Sequence, residues 1–87
     1  MKRSPDFLLR DVAGAIVIVP VGAAISTFPG MVTLNATGAY LWELLEQDQN
    51  VQSLAEALVD RYDVDYEKAL ADVNAYIAKL TPIGALI

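Results

Sequence analysis

Cysteine and histidine are absent from this sequence of 87 residues. Without cysteine the chain can form neither a disulfide nor a thiolate metal site, and a secreted domain of this size usually depends on disulfides. The absence of both residue types also excludes the usual pairs of nucleophile and base. We therefore expect a cytoplasmic protein that is not an enzyme, with no catalytic residue, no metal site and no cofactor.

Basic residues are few, since 6 lysines and arginines stand against 11 aspartates and glutamates, for a net charge of −5. A nucleic-acid-binding protein needs a concentrated basic surface, and these scattered positive charges do not provide one. An apolar run, residues 13–25, is too short to span a bilayer and is interrupted by Pro20 and Gly22. The expected partners are therefore proteins or peptides, with no nucleic acid and no membrane.

Three apolar runs in the first half of the chain predict β-strands, at Phe7–Val12, Ala15–Val19 and Met31–Leu34. The Ala13-Gly14 pair indicates a tight connection between the first two strands. Pro20 is expected to end the second strand, because proline cannot donate to a β-ladder.

The segments around these strands are less regular. Residues 21–27 predict a loop with some extended character, and Phe28-Pro29-Gly30-Met31 fits a turn with proline at the position of fixed φ. The N-terminal residues Met1–Pro5 are expected to be frayed. The apolar residues Ile83–Ile87 need another part of the molecule to cover them.

Three helices are predicted in the second half of the chain. The first spans Ala36–Glu46 and follows Asn35, whose side-chain oxygen can accept a backbone N–H of the first helical turn. The second spans Val51–Arg61. The third spans Tyr66–Leu80, with Asp65 as its N-cap.

Gly38 and Trp42 are the notable residues of the first predicted helix. A glycine inside a helix costs about 1 kcal/mol relative to alanine, so Gly38 indicates a close approach of neighbouring backbone. Trp42 repeats with Leu41 and Leu45 at helical spacing and is expected in the core.

The order of these elements predicts the fold class. Hydrophobic residues make up 55% of the chain, which is enough for residues 1–87 to form a single domain with a modest core. We expect an α+β fold, an N-terminal three-stranded antiparallel sheet followed by a three-helix bundle that resembles a winged helix-turn-helix.

Acidic residues gather before the third predicted helix. Asp63, Asp65 and Glu67 alternate as in a calcium loop, but the glycine of the sharp turn and the distal bidentate glutamate are missing. Pairs of carboxylates can also perform acid–base chemistry. Here they lie at helix starts and on polar faces, where they favour the helix macrodipole and solubility, so we interpret them as surface residues.

The third predicted strand, Met31–Leu34, is short, apolar and followed directly by a helix. If it lies at the edge of the sheet, its free N–H and C=O groups form a template on which an extended peptide can add as a further strand. The alternative is that it is an inner strand, or that the C-terminal tail covers its edge. Periodicity alone leaves both open.

The chain contains four segments in a recognisable order: LRDVAGAIVIVPVG, GMVTLNATGAYLWELL, LAEALVDRYDVD and ALADVNAYIAKLTPIGALI. Together they resemble the PqqD-like family of small peptide-binding proteins, over nearly the whole chain. The most specific pieces are the Leu34-Asn35 join, Leu41-Trp42 with Leu44-Leu45, Tyr62-Asp63-Val64-Asp65 and Asp72-Val73. The final residues, Gly84-Ala85-Leu86-Ile87, depart from the Gly-Leu-Leu-like ending that is common in the family.

This resemblance implies a RiPP recognition element, a domain that binds the leader of a ribosomally synthesised precursor peptide. It implies that a radical SAM maturase, or another peptide-modifying enzyme, is a separate partner that receives the peptide. In the family the leader adds as a strand beside the third strand and packs against the third helix. The implied peptide-binding residues are Met31, Val32, Thr33 and Leu34 in the strand and Ala69, Asp72, Val73 and Tyr76 in the helix.

Two other functions stay open at this point. A winged-helix regulator would read DNA with the third helix, although Lys68 and Lys79 are balanced there by Glu67 and Asp72. A structural subunit would hold an enzyme through an exposed apolar tail. An open edge strand and an apolar tail also permit a homodimer.

Overall fold

The computed structural model describes residues 1–27 and 30–87. Its element order is two strands, a short helix, a third strand and three longer helices, so the predicted α+β class is confirmed. The winged-helix comparison stays a prediction. The predicted turn over Phe28-Pro29-Gly30-Met31 falls largely outside the described residues.

The sheet consists of β1 (Phe7–Val12), β2 (Ala15–Pro20) and β3 (Val32–Leu34). The strands are antiparallel in the order β1-β2-β3, so β2 is central and β3 lies at one edge. β2 runs one residue further than predicted, to Pro20, and β3 starts one residue later, leaving Met31 before the strand. Pairing places Thr33 opposite Val17.

The β1–β2 connection is the predicted tight turn. Ala13 and Gly14 have φ angles of 53° and 86°, the left-handed conformation that a two-residue hairpin loop requires at both central positions. The Asp11 carboxylate accepts the Gly14 N–H at 2.9 Å. Glycine adopts this conformation without strain, whereas Ala13 adopts it at a cost.

The described residues form four helices, of which α1 (Ala24–Thr27) lies between β2 and β3 and the others follow β3: α2 (Ala36–Leu44), α3 (Val51–Arg61) and α4 (Tyr66–Leu80). The predicted loop over residues 21–27 is wrong in part, because one turn of helix lies there. α2 ends two residues earlier than predicted, and its chain continues in tight turns in which the Glu46 N–H donates to the Glu43 carbonyl. The bounds of α3 and α4 are as predicted.

Side-chain caps explain where the three longer helices begin. Asn35 accepts the Gly38 N–H at 2.7 Å and Asp65 accepts the Lys68 N–H at 2.8 Å, as predicted. Asn50 caps α3, for which no cap was predicted, and forms a reciprocal capping box with Ser53. No helix in the described part of the chain is long and apolar enough to cross a membrane.

The core has two parts. The first lies among α2, α3 and α4 and consists of Leu41, Leu45, Leu54, Ala55, Leu58, Ala69 and Val73. The second lies between the inner face of the sheet and the helices and consists of Phe7, Ile18, Leu34, Trp42, Leu80 and Ala85. Trp42 is 2% exposed, which confirms its predicted place in the core.

The two ends of the chain pair with each other. Lys2 and Ile87 exchange two backbone hydrogen bonds of 2.8 Å, and the Ser4 N–H donates to the Ala85 carbonyl. The N-terminal residues, predicted to be frayed, are therefore held in place. The tail is also not the exposed apolar segment that the structural-subunit hypothesis needs, since Ala85 is fully buried and Leu86 packs against the core.

Removal of residues 83–87 is expected to lower the free energy of unfolding by about 2–3 kcal/mol, or the melting temperature by about 10–20 °C. The truncation removes a buried side chain and frees the backbone of the N-terminal segment. Chemical denaturation followed by circular dichroism measures the change. Ile87→Ala, at a side chain that is 63% exposed, is the control and should change stability by less than about 0.5 kcal/mol. Equal stability of the truncated and full chains would contradict the role given to the tail.

Candidate functional site

One edge of β3 faces away from the rest of the sheet. Its other edge pairs with β2, and no other strand in the described part of the chain pairs with it. The C-terminal segment, which was a possible cover for this edge, pairs instead with residues 2–4. Of the two alternatives that the sequence left open, the structure therefore shows the edge strand.

Thr33 provides the outward-facing backbone groups of β3. In a strand, the N–H and C=O of one residue point to the same side, and neighbouring residues point to opposite sides. The Thr33 carbonyl accepts a hydrogen bond from the Lys79 ammonium of α4, at 3.3 Å. The N–H and C=O of Thr33 therefore face away from β2, whereas those of Val32 and Leu34 face β2.

A groove of about 560 Å³ lies between this edge and α4. Two walls define it, one formed by the end of β3 with the first turn of α2, the other by one stripe of α4. Buried Leu34 and Leu41 contribute apolar surface, and the rim is polar and partly charged. The residues that line it are Thr33, Leu34, Asn35, Thr37, Gly38, Leu41, Lys68, Asp72, Ala75, Tyr76 and Lys79.

Gly38 and Tyr76 join the two walls. The Tyr76 hydroxyl donates to the Gly38 carbonyl at 2.9 Å, across 38 positions of sequence. A Cβ atom at Gly38 would lie 3.3 Å from the Tyr76 ring and 3.3 Å from the Asn35 side chain. The predicted close approach at Gly38 is present, but the prediction that backbone makes it is wrong, because the close neighbours are side chains.

Burial changes the acidity of Tyr76. The side chain is half-buried, and this desolvation raises the pKa of its phenol well above the ordinary value of about 10. The hydroxyl is therefore protonated across the physiological range, as its hydrogen bond to Gly38 requires. The groove has a neutral donor at this point, with no acid–base role at neutral pH.

The charged residues of the groove divide into a pair and a single cation. Lys68 and Asp72 form an ion pair across one helical turn, with both carboxylate oxygens within 3.0 Å of the ammonium. Lys79 contacts no carboxylate among the described residues. In addition, no three acidic, cysteine or histidine side chains within residues 1–27 and 30–87 are placed to hold a metal ion.

The structure brings together four of the eight residues implied as peptide-binding: Thr33, Leu34, Asp72 and Tyr76 line the groove. Met31, 57% exposed, and half-buried Val32 are next to it in the chain but do not line it.

Ala69 and Val73 are placed on the other side of α4. Both are fully buried in the core among the helices, because the stripe they share faces α2 and α3. The stripe that faces the groove contains instead Lys68, Asp72, Ala75, Tyr76 and Lys79. The polar spacing of Lys68, Asp72 and Lys79 was the available signal for this face, because polar residues at helical spacing mark the side away from the core.

Comparison with protein families places the chain in a known group. Residues 9–85 match the family model of PqqD, described as coenzyme PQQ synthesis protein D. The chain belongs to the PqqD family. This match covers most of the chain and confirms the resemblance carried by the four segments. None of the curated proteins matches the chain.

The fold of this PqqD-family chain also occurs in a solved structure, "TbiB1 in Complex with the TbiA(beta) Leader Peptide". The TM-score is 0.77 at 21% sequence identity, over 99% of this chain and 94% of the matched chain. At this level of identity the comparison establishes a shared fold. The two proteins therefore have the same overall arrangement of sheet and helices.

Gly38→Ala is expected to destabilise this PqqD-family domain by about 1 kcal/mol, although alanine is the better helix former. Both neighbours of the new methyl group, Asn35 and Tyr76, are hydrogen-bonded to Gly38 itself and cannot retreat without losing that bond. Urea denaturation measures the difference. Ala39→Gly makes the reverse exchange at the next residue of the same helix. The stability that it loses measures the difference in helix propensity between alanine and glycine, against which the Gly38→Ala result is compared. A Gly38→Ala variant that is more stable than the parent would show that Asn35 and Tyr76 leave enough space for a methyl group at position 38.

Tyr76→Phe is expected to cost about 1 kcal/mol at pH 7, since it leaves the Gly38 carbonyl without this donor. The raised pKa of Tyr76 in the folded state also predicts a pH effect. The unfolded chain releases the phenol proton above about pH 10 and the folded chain retains it, so this stabilisation is complete below pH 10 and is lost as pH rises.

The stability of the parent protein should accordingly fall more steeply than that of Tyr76→Phe between about pH 9 and 11, by up to about 1.4 kcal/mol per pH unit. Titration of the other tyrosines and the lysines is common to both proteins and cancels in the difference. Parallel profiles of unfolding free energy against pH would contradict the burial of this hydroxyl.

Proposed function

We propose that this protein binds the leader segment of a ribosomally synthesised precursor peptide, by strand addition along β3, and presents it to a modifying enzyme. The observation that carries the proposal is the pair of outward-facing backbone groups of Thr33 at the mouth of the groove. Membership of the PqqD family supports it, as does the shared fold with a protein solved in complex with a leader peptide.

The geometry suits an extended guest. A strand that adds to β3 would lie about 4.8 Å from it, in the space between β3 and α4. Main-chain hydrogen bonds to Thr33 would supply affinity that does not depend on the guest's sequence, and the groove would receive alternate guest side chains. A volume of about 560 Å³ lies within the usual range for ligand sites.

The residues proposed to contact the peptide follow from this placement. Thr33 pairs with the guest backbone. Met31 lies two residues earlier, so in an extended chain its backbone groups point to the same side as those of Thr33 and extend the pairing edge. Leu34, Asp72 and Tyr76 contact guest side chains within the groove. Ala69 and Val73 pack in the core beneath α4 and do not contact the guest. Ala75 and Lys79, which line the groove, replace them among the residues proposed to contact the peptide.

The protein acts in this proposal as a binding partner and performs no chemistry itself. The chain lacks cysteine and histidine, and Tyr76 is held protonated by its surroundings. The peptide is therefore modified by a second protein, which we propose to be a radical SAM maturase or another peptide-modifying enzyme. Short reading frames beside the gene are the source of candidate peptides.

Thr33→Pro tests the site directly. Proline removes the outward-facing N–H of β3 and leaves the bonds between β2 and the two neighbouring residues in place. We expect at least a tenfold loss of affinity for a fluorescein-labelled leader peptide from such a reading frame, measured by fluorescence anisotropy. Circular dichroism and the melting temperature establish that the variant is folded.

Thr33→Ala is the matched control, since it removes the exposed side chain and retains the N–H. Its affinity should lie within about twofold of the parent value, because the main-chain bonds are intact. A folded Thr33→Pro variant that binds as tightly as the parent would exclude strand addition at β3.

A further inference from the structure

Lys79 occupies the space that a guest strand would enter. Its ammonium lies 3.3 Å from the Thr33 carbonyl, on the side of β3 that faces away from β2. A guest backbone would run about 4.8 Å from β3 along the same side. The ammonium would therefore lie within contact distance of the guest residue that pairs with Thr33.

Lys79 is also the uncompensated charge of the groove. The other cation, Lys68, is held by Asp72 through two contacts of 2.8 and 3.0 Å. No carboxylate in residues 1–27 and 30–87 lies within 4 Å of the Lys79 ammonium, and its bonded partner is a neutral carbonyl. This end of the groove is thus positive on a protein whose net charge is −5.

Pairing of a guest would change the surroundings of Lys79. The carbonyl that now accepts its hydrogen bond is the acceptor that an added strand uses for its own N–H. A guest with a side-chain carboxylate at this point would give the ammonium a charged acceptor in exchange. A guest with a lysine or arginine there would place two cations together, which is unfavourable.

We propose that Lys79 is a specificity-determining residue, which selects guest peptides with an aspartate or glutamate at, or directly beside, the position that pairs with Thr33. This inference rests on the function proposed above and adds the charge of the preferred ligand. The Lys68–Asp72 pair, about 10–16 Å nearer the start of α4, imposes no such preference because its two charges compensate each other.

Selection from a phage-displayed library of random linear peptides tests the proposal without knowledge of the natural ligand. The parent protein, Lys79→Gln, Lys79→Glu and Lys2→Gln serve as parallel targets; Lys2 is exposed and does not line the groove, so its substitution controls for the loss of one positive charge. Aligned peptides selected on the parent should be enriched in aspartate or glutamate at one position. The enrichment should persist on Lys2→Gln, disappear on Lys79→Gln and change to lysine or arginine on Lys79→Glu.

Synthetic copies of the selected peptides then give the size of the effect. Exchange of the enriched glutamate for glutamine should weaken binding to the parent about three- to fivefold at low salt, as expected for a partly exposed ion pair. The same exchange should leave affinity for Lys79→Gln unchanged within twofold. At 1 M salt, where screening acts over about 3 Å, the difference should shrink.

The outcomes separate the two proposals. Loss of the selected peptides on Thr33→Pro supports strand addition. If those peptides have no enriched acidic position, or if the acidic position is still enriched on Lys79→Gln, the role of Lys79 is overturned and strand addition stands. Failure to enrich any peptide on the folded parent protein would count against the binding function itself, and with it this inference.

Discussion

The groove depends on one hydrogen bond, from the Tyr76 hydroxyl to the Gly38 carbonyl. It joins α4 to the first turn of α2 at the point where both approach β3, and so sets the separation of the two walls. A methyl group at position 38 would lie only 3.3 Å from the Tyr76 ring, so glycine allows the close approach that this hydrogen bond needs. Asn35 completes the arrangement, since its side chain caps α2 and contacts the same glycine. The groove proposed to hold an extended guest is thus formed by the side-chain cap at the start of α2 and by one long-range contact from α4.

Local patterns predicted most of the secondary structure. α3 and α4 have the expected bounds because each has a side-chain cap before it and an apolar stripe at helical spacing along it. The hairpin was visible in two apolar runs separated by Ala13-Gly14. The frayed N-terminus is the error that depends on distant parts of the chain: Lys2 and Ile87 are adjacent only in the fold, and no local pattern reveals their pairing.

The candidate site was predicted less completely than the fold. The strand could be found because a short apolar run ends at a helix cap, and the resemblance to a family indicated which helix lies opposite. The rotation of α4 could not be obtained in the same way. Ala69 and Val73 are apolar, and on a helix such residues belong to the core, whereas the groove-facing stripe with Lys68 and Asp72 has the composition of ordinary solvated surface.

The pairing of residues 2–4 with residues 85–87 has a consequence for how this domain combines with others. Both chain ends leave the fold side by side, and none of the residues that line the groove belongs to either segment. A polypeptide fused at either end would therefore start from the same place on the surface, outside the groove. Fusion at residue 1 or residue 87 is thus compatible with access to β3, the proposed peptide-binding edge.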